Sequence, residues 1–219
     1  MSHGRYRSIE DLPETLGVFP LTGVLLLPRG QLPLNVFEPR YLSLVDDAMS
    51  GARLIGMIQP AEHEDKTLKP ALTAVGCAGR ITSYREAEDG RYLITLTGIC
   101  RFRVASELPM AAAYREVRPD YGPFIGDLVS GNDVDFPRER LLAALKDYLS
   151  TRDLKADWRS VMSAPAETLV NALAMLCPFE PAEKQALLEA PGWAERVDTL
   201  VALLEMASIA PPSGGGTLN

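Results

Sequence analysis

Between Phe19 and Tyr41 the chain reads FPLTGVLLLPRGQLPLNVFEPRY, an almost uncharged run broken by Pro20, Gly23, Pro28, Gly30 and Pro33. This punctuation constrains the fold more than any other feature. A proline has no N–H to give a ladder and locks its own φ, so neither a long central strand nor a helix can pass through the run. What remains is short or edge strands joined by turns. The run closes on Phe37-Glu38-Pro39, which reads as a helix start with Pro39 at the first helical position. Tyr41, Leu44, Val45, Ala48 and Met49 then recur at the spacing of one helix face, and Gly51 ends the helix.

The residues that follow extend the β pattern. RLIGMIQP reads as a buried strand closed by Pro60, and the polar AEHEDKTLKP at 61–70 reads as a loop. AVGCAGRITSYREAEDGRYLITLTGICRFRV reads as a long hairpin, turned by the two-residue signal Asp89-Gly90. In its second arm Tyr92, Ile94, Leu96, Cys100, Phe102 and Val104 share one face. Arg91, Thr95, Thr97, Arg101 and Arg103 share the other, with Leu93 and Ile99 as exceptions. Gly98 interrupts the apolar face and predicts a bulge or a close backbone approach. AAAYREVRPDYG adds a further strand. Many short strands of this kind predict a small barrel or a strongly bent sheet.

Beyond about residue 130 helical patterns replace the strands. Leu141, Leu145, Tyr148 and Leu149 form one apolar stripe, and Leu154, Trp158, Val161 and Met162 a second. Pro165 opens a third segment, which ends before Pro178. Pro181 opens a fourth, which Pro191-Gly192 ends. Trp193, Val197, Leu200, Val201 and Leu204 mark the last. The predicted organisation is a loosely held tail over 1–14, a β domain over 15–125, a helical bundle over 133–207 and a disordered tail over 208–219. The fold class is α+β: a small β-barrel or bent sheet with one inserted helix, followed by the bundle.

Composition narrows the function classes. The formal net charge is −7, which argues against a sequence-independent grip on phosphate backbones, so nucleic acid is not the expected partner. No apolar h-region marks a signal peptide at the N-terminus, and no apolar run approaches the ~18 residues of a membrane helix. The 3 cysteines, Cys77, Cys100 and Cys177, are odd in number and widely spaced, which reads as buried reduced thiols in a cytoplasm.

No catalytic constellation stands out. The chain has neither a phosphate-cradling G-x-x-x-x-G-K-[ST] nor a G-x-S-x-G elbow. Its 2 histidines are His3, in the tail, and His63, in a charged loop where a solvated role outweighs a catalytic one. Glu62, His63, Glu64 and Asp65 are sequence neighbours that rarely converge on one metal, so neither a metal nor a cofactor is expected. Every lysine sits in a polar or helix-surface context, which leaves no serine–lysine dyad. The expectation is a binding protein, not an enzyme. Its candidate contact residues are Phe37, Glu38, Arg40 and Tyr41 at the strand–helix corner, with Arg80, Arg101 and Arg103 on strand faces. For Arg40 the plainer reading is a carboxylate partner that fixes the corner, with Tyr41 packed on the core.

The opening run resembles the start of the Lon N-terminal domain, the substrate-binding module of Lon proteases. The likeness rests on Phe19-Pro20-Leu21, Leu27-Pro28, Leu32-Pro33-Leu34 and the close Phe37-Glu38-Pro39-Arg40-Tyr41. It rests also on VGCAGRI at 75–81 and DGRYLITLTGICRFRV at 89–104. The resemblance implies a PUA-like β fold followed by helices, and a role in recognising unfolded segments or degrons of other proteins. The sequence carries no Walker motif and no protease domain, so it looks like a free-standing domain of this family, of bacterial type. Unfolded or degron-bearing proteins, or a separate protease served by an adaptor, are the implied partners. Because PUA-like folds also include RNA-binding modules, RNA binding is the alternative, and a small-molecule sensor or enzyme using the β pocket is a third.

Overall fold

A computed structural model of the chain describes residues 6–61, 70–129 and 136–209. Six strands build the β half: β1 (Leu16–Pro20), β2 (Gln31–Val36), β3 (Leu54–Ile58), β4 (Val75–Glu86), β5 (Tyr92–Glu107) and β6 (Arg115–Asp120). Their order is β2-β5-β4-β3-β1-β6, and β6 pairs again with β5. That last pairing closes β5, β4, β3, β1 and β6 into a ring. Strand β2 lies on the first half of β5, and among the described residues its other side has no strand partner. β1 and β3 run parallel and the other pairs antiparallel.

Closure depends on β5 changing partners midway. Its residues Tyr92 to Thr97 pair with β2, and Arg103 to Glu107 pair with β6. Gly98 lies between. The register of β4 on β5 shifts between Ala78 and Gly79, which leaves Ile99 as the extra residue of a bulge. The backbone of the proline-broken run crosses at this point. Arg29 donates its amide to Gly98 O at 2.8 Å, and the Gly98 amide reaches Gly30 O at 2.9 Å. A Cβ at Gly98 would overlap the Leu27 carbonyl and sit 3.2 Å from Pro28 Cα. Only glycine fits so close an approach of two backbones. The sequence expectation of a bulge or a close contact is met by both together.

The apolar run is the plug of this barrel end: Leu25, Leu26 and Leu27 are buried at 2%, 1% and 0% exposure. Helix α1 (Pro39–Ser50) follows, with Glu38 at its N-cap, Pro39 in its first turn and Gly51 at its end. It buries Tyr41, Leu44 and Val45. The hairpin of β4 and β5 turns through three residues, Glu88-Asp89-Gly90, and not through two. Ala87 and Arg91 still pair, at 2.8 Å, and Gly90 takes the left-handed φ of +79°. This is the type I turn plus left-handed glycine that a three-residue hairpin requires.

Five helices form the second half: α2 (Arg138–Thr151), α3 (Trp158–Ser163), α4 (Ala166–Leu176), α5 (Pro181–Glu189) and α6 (Trp193–Ile209). The expected stripes of α2 and α6 are buried through Leu141, Leu145 and Tyr148, and through Val197, Leu200, Val201 and Leu204. The second stripe is corrected. α3 spans only six residues and buries none of them, and Leu154, Trp158 and Met162 remain exposed. The first residues also differ from a loose tail. Tyr6 and Leu12 are buried against the core, and Ser8 and Asp11 close a 3₁₀ turn over Ile9–Asp11. Residues 210–219, residues 1–5 and the polar loop with His63 lie outside the described residues.

Candidate functional site

The strand–helix corner is built from its own sequence. Proline cannot use an amide at the first helical position, so Glu38 takes the extended backbone of an N-cap, and its carbonyl accepts from Tyr41 at 2.9 Å and Leu42 at 3.0 Å. Arg40 then folds back on Glu38, with Nε at 2.9 Å and Nη2 at 2.8 Å from Oε2. The pair is half exposed, and such pairs contribute about 0–1 kcal/mol; it orients the corner more than it stabilises it. The guanidinium lies 4.6 Å over the Tyr41 ring, which stacks on Phe19 at 4.0 Å. Burial raises the Tyr41 hydroxyl's pKa above its ordinary value. The plainer reading of Arg40 and Tyr41 therefore holds: a carboxylate fixes one and the core takes the other.

Phe37 behaves otherwise. It follows the last residue of β2 and is 64% exposed. Met110, 57% exposed, lines a shallow hollow of about 40 Å³ with Pro20, Arg40, Tyr41, Tyr114 and Arg115. The corner thus presents an aromatic ring, a charge pair and a small hollow.

The three strand arginines do not form a common rim. Arg103 is exposed, with Val75 and Asp120 as its register partners. Arg80 is half-buried in mid-sheet, opposite Leu54 and Thr97. Arg101 is 4% exposed and lies inside the molecule. The shared face expected for Arg101 with Thr95 and Thr97 is corrected: the bulge at Ile99 reverses the alternation, so that Arg101 lies opposite Cys77 on the other face from Thr97, where the 3₁₀ segment Gly122–Leu128 and α5 cover it. Its Nε and Nη2 clasp Asp127 at 2.9 and 3.0 Å, and its Nη1 donates to the carbonyls of Leu188 and Ala190 at 3.0 and 2.6 Å. Arg101 fastens the helical half to the barrel and is unavailable as a contact residue.

That seam holds residues the sequence did not single out. Arg29, at a left-handed φ of +65°, binds the Glu167 carboxylate and donates to Asp127 O at 2.7 Å. Asn171 Nδ2 reaches Pro28 O at 2.9 Å, and Lys184 Nζ reaches Gly23 O at 2.8 Å. Gln59 Nε2 donates to Pro181 O at 3.0 Å, while its Oε1 accepts from the Gly23 amide at 2.8 Å. The helices are thereby tied to the plug segment. Two clefts open along the seam. One, of about 330 Å³, is lined by Arg29, Arg101, Asp127, Glu167, Trp193 and Arg196, among others. The other, of about 570 Å³, runs beside Gly30, Gln31, Asn171, Met175 and Leu176. Among the described residues no cluster of histidine, cysteine or carboxylate groups could hold a metal, and no helix is long and apolar enough to cross a membrane. Cys77, Cys100 and Cys177 are buried free thiols.

A closed small barrel with one inserted helix, tied to a helical bundle, defines the class: the chain belongs to the ATP-dependent protease La (LON) substrate-binding domain family, whose model matches residues 15–206. The family is one of substrate-recognition modules. The crystal structure of a Lon N-terminal domain protein from Xanthomonas campestris is similar, with a TM-score of 0.62 and 25% identity, over 86% of this chain and 97% of that one. The N-terminal domain of a Mycobacterium avium complex Lon protease shares the fold, with a TM-score of 0.58 at 16% identity, over 89% of this chain and 97% of that one. Lon protease 2 of Thermus thermophilus is 27% identical over 89% of this chain and 24% of its own length. Lon protease 2 of Myxococcus xanthus is 33% identical over 51% of this chain and 13% of its own length. The chain therefore spans a quarter or less of these two Lon proteases, and only the substrate-binding domain is matched.

Proposed function

We propose that this chain is a non-catalytic recognition module that binds extended segments of other proteins, either unfolded stretches or degrons, and that it works as a client-binding protein or as an adaptor to a separate protease in the cytoplasm. The observation that carries this reading is Phe37. Phe37 is a phenylalanine with 64% of its surface in water, and it stands at the end of a strand whose second side has no strand partner among the described residues. Strand addition to β2 would supply sequence-independent backbone hydrogen bonds, while Phe37 and the hollow beside Arg40 and Tyr41 would select side chains. Glu38, Arg40, Arg80 and Arg103 remain candidate contacts; Arg101 does not. Pro33 within β2 limits how many amides that edge can offer, which suits weak and general capture better than tight binding.

The test is equilibrium binding of one labelled protein in two forms, native and permanently unfolded by reduction and carboxymethylation, followed by fluorescence anisotropy. The proposal expects binding of the unfolded form only, with no competition from single-stranded RNA. Equal binding of both forms, or displacement by RNA with a steep salt dependence, refutes it.

A further inference from the structure

The sheet beside β2 has two unlike faces, and both run out to its free edge. Leu32, Leu96 and Ile81 stand in one row across β2, β5 and β4, and Leu34, Ile94 and Tyr84 in the next. Leu96, Ile81 and Ile94 are buried, whereas Leu32 and Leu34, at the edge, are only partly so. The opposite face is polar. Its rows are Gln31-Thr97-Arg80, Pro33-Thr95-Ser83 and Asn35-Leu93-Arg85, and no carboxylate stands in any of them. Arg85 is exposed, as are Gln31, Pro33 and Asn35.

The backbone of β2 alternates in the same way. The Gly98 amide donates to Gly30 O at 2.9 Å, and Gly30 falls opposite Gly98 in the register that pairs Gln31 with Thr97. Hydrogen-bonded positions of an antiparallel pair recur at every second residue. Leu32, Leu34 and Val36 therefore bond to β5, while the amides of Gln31 and Asn35 and the carbonyls of Gln31, Pro33 and Asn35 point away from it. Pro33 fits this parity, because the amide it lacks is one that would face outward. The edge is six residues long, about 20 Å. It runs from Gln31, on the cleft beside Met175 and the 82% exposed Leu176, to the corner at Phe37.

We propose that this edge selects client segments with apolar side chains at alternate positions, i and i+2, and with acidic or neutral polar side chains between them. Such selection rests on the strand addition proposed above. Residues of an added strand that lie beside Leu32 and Leu34 extend the apolar face and complete the cover of both leucines. Their sequence neighbours fall on the polar face, beside Gln31, Pro33 and Asn35. A slip of one residue exchanges the two sets and puts polar groups against the leucines, so spacing decides affinity, not hydrophobicity alone. The polar face adds charge complementarity. An added strand lies two strand spacings, about 10 Å, from the β4 residue Arg85. That is about one Debye length at 0.1 M salt, so Arg85 favours an acidic over a basic side chain by a small, salt-dependent factor. Pro33 leaves one client carbonyl without a donor, which makes the side-chain pattern matter as much as the ladder.

The test is a titration of the intact ¹⁵N-labelled chain with three short unstructured peptides. The first carries leucines at alternate positions with threonine and glutamate between them. The second has the same residues with the leucines consecutive. The third is the first with lysine for glutamate. The readouts are affinity and the hydrogen exchange of single backbone amides. The alternating peptide should bind about tenfold or more tighter than the consecutive one, since each apolar side chain left uncovered costs roughly one tenfold step. Its binding should slow exchange of the Gln31 and Asn35 amides and change the Leu32 and Leu34 amides, already bonded to β5, far less. The ratio of glutamate-peptide to lysine-peptide affinity should fall about twofold in Arg85→Gln at low salt, an exposed change that should leave the fold intact. Equal affinity for the alternating and consecutive peptides, binding without protection of Gln31 and Asn35, or an affinity ratio unchanged in Arg85→Gln overturns the proposal and leaves client binding standing. No binding of any peptide while an unfolded protein still binds has the same meaning. Failure of the unfolded protein itself to bind overturns the recognition reading along with it.

Discussion

Replacing Asp127 by alanine should cost this protein a large share of its stability, and the reason lies in what Asp127 receives. Its carboxylate accepts three bonds from one residue: the Arg101 amide at 3.0 Å, Nε at 2.9 Å and Nη2 at 3.0 Å. Both side chains are nearly out of water, at 5% and 9% exposure. Without the carboxylate, the guanidinium keeps only the Leu188 and Ala190 carbonyls for its charge. Removing one partner of such a buried pair costs about 3–5 kcal/mol, mostly because the other charge stays buried and uncompensated. Against a total of about 5–15 kcal/mol for a typical protein, that loss brings the chain near its limit. The assay is equilibrium unfolding in urea followed by tryptophan fluorescence, since Trp158 and Trp193 both lie in the helical half. Asp127→Ala and Arg101→Met should each lower the midpoint strongly. The double variant Asp127→Leu/Arg101→Met should lie closer to the parent protein than either single change, because it removes both charges together. An Asp127→Ala protein within about 1 kcal/mol of the parent, or a double variant whose loss equals the sum of the two singles, refutes the view that this pair fastens the two halves.

Three further outcomes follow from other residues. Gly98→Ala should destabilise the fold by at least about 2–3 kcal/mol, measured as a drop in melting temperature or a failure to fold, because the new Cβ meets backbone that cannot yield. Phe37→Ala should weaken binding of an unfolded protein severalfold and leave the melting temperature unchanged, which separates contact from folding. Stability should also fall above about pH 8.5, where thiols of an unfolded chain ionise. Burial pushes the Cys100 thiol up to about 12 and the Cys177 thiol up to about 11, with Cys77 raised well above its ordinary value. The unfolded chain then binds fewer protons than the native one, and each thiol removes up to about 1.4 kcal/mol per pH unit until its native pKa is reached. Urea midpoints that stay level or rise between pH 7 and pH 10 would refute this.

The local grammar of the chain was readable because it acts over a few residues. Pro39 and Gly51 bound α1, Gly98 marked the bulge by breaking an alternation, and Pro165 and Pro181 placed the starts of α4 and α5. The Asp89-Gly90 turn was placed correctly but its loop is one residue longer, since Gly90 supplies the left-handed φ of a three-residue connection. What was not readable depends on which face another element covers. Arg101 and Arg103 alternate identically in sequence, yet the 3₁₀ segment and α5 bury the first and leave the second in water. Leu154, Trp158 and Met162 have helical spacing, but α3 is too short to carry the stripe inward. Arg29, Asp127, Glu167 and Arg196 are scattered over the chain and meet only once the helices dock. One signal was available: an arginine between Pro28 and Gly30, inside an otherwise uncharged run, needs a partner from elsewhere.

The central claim is that the Phe37 corner receives extended protein segments, and the most direct measurement is site-specific photo-crosslinking with a defined client. A photoreactive phenylalanine at position 37 is compared with one at Met206, which is 63% exposed on α6, using a permanently unfolded protein and its native form. Crosslinked peptides are mapped by mass spectrometry. The account predicts adducts from position 37 to many segments of the unfolded client, few from position 206, and few to the native form. Equal yields at the two positions, or adducts from position 37 to the native form alone, would contradict it.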